Sequence, residues 1–340
     1  MKPPAQLTIR PVMKYVFGPV PSRRLGQSLG IDPIPLKTCN WNCVYCQLGR
    51  TRPLTNERRE YVPCKDILIE LEQALRIHHA GEIDWVTFVG SGEPTLHNGI
   101  GWLIRQVKLL TELPVAVITN GALLYQPEIR EELSAADAVL PSLDAGNPAL
   151  YRKINRPWPK LTFERLWEGL TRFREVYAGQ LWIEVMLIRG LNDTEETLRE
   201  IAGVLRQIRP SKVQITTPVR PPAEPWVELP TAEGLERATA ILGKEACFAA
   251  PAAGTFDLAG HDRVTDAVIA ILTRHPMSEE DILATLKHWT PGRVQETLHD
   301  LLSSGQVQVV ERYKRRFWST AGARFESKNQ HSALFDSGKE

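Results

Sequence analysis

Residues 37–49 read KTCNWNCVYCQLG and set Cys39, Cys43 and Cys46 in a C-x3-C-x2-C spacing. Three thiolates on one tight loop can hold three irons of a cubane cluster. The fourth iron then lacks a protein ligand and is open to the nitrogen and oxygen atoms of a small molecule. A zinc knuckle is the other use of clustered thiols, but it needs a fourth Cys or His close by. His78 and His79 fall instead on the surface of a predicted helix. Cys64 and Cys247 stand alone, so the cysteines form no disulfide framework and point to a metal in a reducing compartment.

Working outward, the run at 28–33 predicts a strand that ends just before the cysteine loop. Further strands are predicted at 85–90, 115–119, 138–142, 182–188 and 212–216. Amphipathic helical stretches at 63–79, 100–111, 163–177 and 195–208 are long enough to cross between parallel strands. The pattern predicts an α/β fold, a partial (β/α)6 barrel. A doubly wound open sheet is the competing topology, because strand order is not written in periodicity.

The proline-rich stretch PVRPPAEPWVELP, 218–230, reads as extended chain closing the last strand. A second change of composition at 251–260 places a boundary there, giving a barrel domain over 1–255 with an N-terminal segment at 1–27. Three amphipathic stretches at 262–275, 278–289 and 291–303 precede an alternating run, QVQVVERYKRRFWST. Three helices and a β-hairpin over 260–320 make a winged-helix pattern, and the polar residues 321–340 read as a flexible tail.

The chain has 340 residues, 43% hydrophobic and 24% charged, as expected of a globular protein with a large core. Its 41 basic and 40 acidic residues nearly cancel, so no whole-protein attraction to nucleic acid or anionic membrane follows. No stretch of about 20 apolar residues and no signal-like apolar run are present. A cytoplasmic location with no membrane partner is the expectation.

Tyr45 immediately precedes the last cysteine, and C-x3-C-x-Tyr-C resembles the motif of the radical S-adenosylmethionine (SAM) superfamily. The resemblance implies a [4Fe–4S] cluster on Cys39, Cys43 and Cys46, whose open iron chelates the amino and carboxylate groups of SAM. It also implies an external flavodoxin- or ferredoxin-like electron donor, and cleavage of SAM to methionine and a 5′-deoxyadenosyl radical. SAM should then lie across the C-terminal strand ends. There Ser91, Gly92 and Glu93 match the superfamily's Gly-Gly-Glu position, with Ser in place of the first Gly. Asn120, Ser142 and Asp144 follow on the next two ends, and Met186 and Asn192 on the segment IEVMLIRGLND. Taken singly, these are also ordinary turn, cap or core residues.

The segment FGPVPSRRLGQSLGID, 17–32, resembles a signature in Fe–S oxidoreductases grouped with wyosine-tRNA-synthase-like and nitrogenase-cofactor-biosynthesis-like proteins. Those relatives hold extra clusters on additional cysteines, which two isolated thiols do not supply. Arg23 and Arg24 are candidate guanidinium contacts to a phosphate or carboxylate of the substrate, or else a structural salt bridge. The expected activity is hydrogen abstraction, with tRNA or other nucleic acid as the first candidate substrate. The hairpin's Arg312, Lys314, Arg315 and Arg316, beside Tyr313, Phe317 and Trp318, are candidate nucleic-acid contacts. Two alternatives are a peptide- or protein-modifying enzyme that captures its substrate on the wing, and a non-catalytic redox-sensing regulator that binds DNA.

Overall fold

In the computed structural model, which describes residues 13–249, 256–257 and 263–326, the strand segments are short, several of the central ones are rich in Val, Ile and Thr, and successive side chains face opposite ways. An antiparallel hairpin of β1 (Val16–Ser22) and β2 (Gly26–Ile31) comes first. There follow α1 (Cys64–Ile77), β3 (Trp85–Phe88), α2 (Ile100–Leu110), β4 (Val115–Thr119), α3 (Pro127–Leu133), β5 (Ala138–Pro141) and α4 (Pro148–Ile154). Next come α5 (Phe163–Val176), β6 (Gln180–Met186), α6 (Glu195–Ile208), β7 (Lys212–Thr216), α7 (Ala232–Leu242) and β8 (Ala246–Phe248).

The strands lie side by side in chain order, parallel from β2 to β8. A doubly wound sheet reverses its order at a switch point. Unbroken order is instead that of a partial barrel. The sheet exceeds the six strands expected from the sequence. β1 escaped because Pro19 and Pro21 disfavour a strand interior, yet it is an edge strand, where prolines are tolerated. The segment after 218–230 does not end the sheet, because α7 and the three-residue β8 extend it; β8 is too short to show a period.

One strand face packs under the helices, with Val86, Phe88, Val117, Ile183 and Val185 in the main core. The alternate face lines the barrel lumen. At its N-terminal end Leu25 is buried among Ala116, Ala138 and Leu140, with Trp85 and Trp182 alongside, and closes the lumen there. The helices follow the same logic. In α6, Leu198, Ile201, Ala202, Leu205 and Ile208 form one buried stripe. The Thr194 side chain caps its start by accepting from the Thr197 amide, and Arg209, at a φ of 54°, ends it before Pro210.

The C-terminal part contains α8 (Val264–Arg274), β9 (Met277–Ser278), α9 (Glu279–Thr285), α10 (Pro291–Ser303), β10 (Val307–Arg312) and β11 (Arg315–Thr320). Its sheet runs β10-β11-β9, antiparallel throughout. A separate core gathers Val268, Ile271, Leu298, Leu301 and Trp318. Residues 321–326, expected to begin a flexible tail, are instead tied to the barrel: the Arg324 carbonyl accepts from the Arg50 amide at 2.6 Å, and the Glu326 amide donates to Ala223 O at 3.1 Å. The rest of that tail, the first 12 residues and most of the boundary at 251–260 lie outside the described residues. Among the described residues no helix is long and apolar enough to cross a membrane.

Candidate active site

The cysteine loop follows β2 and is pinned from several sides. Its Val44 amide donates to Ile154 O at 2.9 Å and its Asn42 amide to Asn155 O at 3.0 Å, hooking it to the end of α4. Trp41 is buried against Tyr151, ring centroids 5.4 Å apart. On the far side Arg50 reaches Glu224 with two bonds of 2.8 Å, and Arg156 joins the same carboxylate.

Each thiol receives an N–H donor. The Trp41 amide approaches Cys39 Sγ at 3.4 Å, Asn155 Nδ2 approaches Cys43 Sγ at 3.8 Å, and Lys37 Nζ reaches Cys46 Sγ at 3.0 Å. Burial, with Glu93 adding to it, pushes the Cys39 thiol up to about 12, and burial lifts Cys43 well above its ordinary value. Burial opposes the charge of Lys37, but Cys46, Cys39 and Cys43 outweigh it and raise its pKa. Burial therefore holds Cys39 and Cys43 as neutral thiols that a bound cationic group would deprotonate, and all three sulfurs have donors already in place for the thiolates. Among the described residues no three His, Cys, Asp or Glu side chains are gathered around a single-ion position. One tetrahedral ion would need sulfurs about 3.8 Å apart. A donor set of three separately placed thiols fits a cluster, in which each sulfur meets its own iron.

The strand-end residues behave unequally. Glu93 is buried, and its carboxylate accepts from Thr95 N and Oγ1, from Thr119 Oγ1 at 2.6 Å and from the Asn120 amide at 2.7 Å. It joins the ends of β3 and β4, and burial raises its pKa. The Ser91 hydroxyl and amide both donate to Asp32, at 2.8 and 3.1 Å, rather than facing a ligand. A Cβ on Gly92 would lie 1.8 Å from Thr38 O, so the backbone there needs glycine. Asn192 gives its amide to the Asp144 and Met186 carbonyls and accepts from the Ile188 amide. That bonding makes it a backbone latch. Asp144 accepts from Tyr45 Oη at 2.6 Å, Asn155 Nδ2 at 2.7 Å and the Met186 amide at 2.9 Å. Asn120 bonds Asn40 Oδ1 at 2.6 Å and lies 3.9 Å from Cys39 Sγ.

Above the Leu25 plug the lumen opens into a cavity of about 420 Å³. The sequence candidates Arg23, Arg24, Tyr45, Cys46, Ser142, Asp144 and Met186 all line it. Arg24 reaches from the β1–β2 turn to pair with Glu184 on β6, the structural one of its two expected uses, while also lining the cavity. The sequence reading missed Glu184, Arg220, Arg274 and His275. Glu184 sat on the lumen face of a predicted strand and was detectable from period two alone. Arg274 and His275 close the cavity from the C-terminal part, and no local pattern announces a contact of that range.

The hairpin is less available than its composition suggested. Arg312 is buried and donates to the Pro222 and Glu326 carbonyls, Phe317 and Trp318 are buried, and Arg315 lies by Asp281 and Ser278. Only Lys314 and Arg316 of that basic group remain exposed without such contacts among the described residues.

Residues 34–202 match the family model described as the radical SAM superfamily. A UPF0026 protein of Methanocaldococcus jannaschii is 36% identical over 276 residues, which is 79% of this chain and 85% of the relative. A GTPase Obg of Brachyspira hyodysenteriae is 38% identical over 298 residues; these are 87% of this chain but 43% of that protein, so the chain spans less than half of it. Among solved structures, a radical SAM methyltransferase from Sphaerobacter thermophilus matches with 20% identity over 65% of this chain and 66% of that chain, at a TM-score of 0.45. The family match takes in the cysteine loop and the ends of β3 to β6, and the chain belongs to the radical SAM superfamily, enzymes of SAM-dependent radical chemistry whose cofactors are SAM and a [4Fe–4S] cluster.

Proposed function

We propose that Cys39, Cys43 and Cys46 hold the cluster and that the lumen above Leu25 is the reaction chamber, shared by SAM and the substrate. The observation that carries this is Cys46, which sits on the pinned loop and also lines the cavity, with Tyr45 beside it. When bound, the cluster supplies one electron for the reductive cleavage of SAM, and that cleavage drives hydrogen abstraction from the substrate.

This chain's residues position and shield. Lys37, Asn155 and the Trp41 amide stabilise thiolate charge on the loop. Ser142 and Met186 face the cavity and are proposed SAM contacts. Glu93, Asp144 and Asn192 act one step back, fastening the strand ends that carry those contacts. Gly92 lets its turn approach Thr38 just before the first cysteine. Leu25 shuts the lower end of the lumen to water.

A flavodoxin- or ferredoxin-like protein is the proposed electron donor. The C-terminal part, read as a winged helix, has its docking residues Arg312 and Arg274 committed to the barrel. That favours a cover for the chamber over a nucleic-acid reader, and favours a substrate small enough for the lumen. Cys64 bonds near Glu60 at the start of α1, and Cys247 lies beside Gln214 on the sheet edge. Neither sits with the three loop thiols, so one cluster is expected. Iron and sulfide analysis of the anaerobically reconstituted chain tests this: about four irons per chain, lost in Cys43→Ala, is expected, whereas iron retained in that variant contradicts the ligand assignment.

A further inference from the structure

The chamber collects more positive charge than its own residues neutralise. Of the four arginines lining it, Arg24 pairs with Glu184, and Arg274 donates to Asp32 at 3.0 Å. Arg23, half-buried in the wall, has no carboxylate and no hydrogen-bond partner among the described residues. Arg220 spends Nη1 on two neutral acceptors, Gln47 Oε1 at 3.2 Å and His275 Nδ1 at 2.7 Å. Asp144, the other carboxylate in the wall, is already wrapped by Tyr45, Asn155 and the Met186 amide.

The imidazole adds a third donor. A guanidinium has no acceptor, so His275 Nδ1 must accept from Arg220, and the ring proton then sits on Nε2. Nε2 is buried and has no hydrogen-bond partner among the described residues. Burial, together with neighbouring guanidiniums, pulls Arg24 down to about 9 and Arg220 down to about 10. Guanidiniums stay charged in proteins, and at Arg220 the attraction of Asp281 does not offset burial beside Arg23. Withdrawing a cation from water without a counter-charge is unfavourable, and an anion in the cavity relieves it.

We propose that the substrate carries an oxyanion, a phosphate or carboxylate group, held between Arg23 and Arg220 with His275 Nε2 as the third donor. This rests on the lumen being the substrate chamber. Planar guanidiniums match the paired oxygens of both groups. The position also sets the reacting part of the substrate, because Arg220 is bonded to Gln47, the residue after Cys46. An anchor there orients the molecule relative to the cysteine loop.

The test is equilibrium binding of pyrophosphate and of malonate to the reconstituted full chain, wild type against Arg23→Gln, Arg220→Gln and His275→Phe, with SAM affinity measured on the same samples. At least one anion is expected to bind, and each arginine variant to weaken it about tenfold or more, a loss at least several times greater than any loss of SAM affinity. Tighter pyrophosphate binding supports a phosphorylated substrate, and tighter malonate binding a carboxylate. No binding by either anion, or binding indifferent to all three variants, overturns the proposal. Equal losses of anion and SAM affinity also overturn it, since the arginines would then serve the carboxylate of SAM. Iron content reports folding of each variant, and His275→Phe tests the site should an arginine variant fail to load iron. A wild type that binds anions through these arginines yet forms no 5′-deoxyadenosine counts against the radical chamber and leaves the oxyanion site standing.

Discussion

Arg274, at the end of α8, donates to Asp32, at the end of β2, across 242 residues of chain and 3.0 Å of space. Asp32 is the same carboxylate that fixes Ser91 beside Gly92. One buried acid thus ties the C-terminal part, the cysteine loop's upstream strand and the β3 strand end together. Asp32→Ala leaves the partly buried Arg274 guanidinium with the Lys14 carbonyl and the Phe17 ring but no counter-charge, frees the Ser91 turn, and is expected to cost about 3 kcal/mol. Arg274→Ala leaves Asp32 its two Ser91 donors and should cost less, about 1–2 kcal/mol. Urea unfolding of the three proteins ranks them.

Gly92 tests how strand-end geometry reaches the cluster loop. A methyl group there meets Thr38 O, one residue before Cys39, and backbone offers no flexible end to give way. Gly92→Ala is expected to reduce iron retained after reconstitution at least severalfold, while Gly81→Ala, where a Cβ meets nothing within 4 Å, retains it despite the strained φ. Equal iron in the two would show that the close approach is not needed for loading.

Stability should fall on acidification below about pH 7. Burial, then Arg220 and Arg274, hold His275 well below its ordinary range, and burial lowers His97. A depressed folded pKa means that the unfolded chain takes up a proton that the folded chain refuses. As pH drops through the unfolded value of about 6.5, each such histidine therefore removes up to about 1.4 kcal/mol per pH unit. Above that value the penalty is absent. His275→Gln should flatten the profile measured by thermal or urea unfolding between pH 7 and 5, relative to wild type.

The hairpin cations divide into bonded and free. Arg312→Ala removes donors to Pro222 O and Glu326 O and is expected to destabilise by about 2 kcal/mol. Lys314→Ala with Arg316→Ala should change stability by less than about 0.5 kcal/mol. If that double variant instead weakens binding to tRNA, with a smaller salt dependence, the hairpin reads nucleic acid after all.

The legible parts were those with short-range grammar. Cys39, Cys43 and Cys46 are close in sequence, so spacing alone placed them on one loop. The strands β3 to β7 and the stripe of α6 showed their periods, and their bounds fall within a few residues of expectation. Roles decided across strands were harder. Glu93 reads as an acceptor for a ligand, yet its acceptor sites face Thr95, Thr119 and the Asn120 amide, which come together only once β3 and β4 are paired. Asn192 reads as a cofactor contact and is spent on backbone for the same reason. Arg220, Arg274 and His275 belong to segments with no local signal for the barrel lumen. Their part in the chamber depends on how the C-terminal part docks.

The most direct test is anaerobic reconstitution with iron and sulfide, addition of dithionite and SAM, and chromatography for 5′-deoxyadenosine. Formation of that product by the wild type and its loss in each of Cys39→Ala, Cys43→Ala and Cys46→Ala is the predicted result; no product from a wild type with its cluster fully loaded would contradict the assignment of the lumen as a radical reaction chamber.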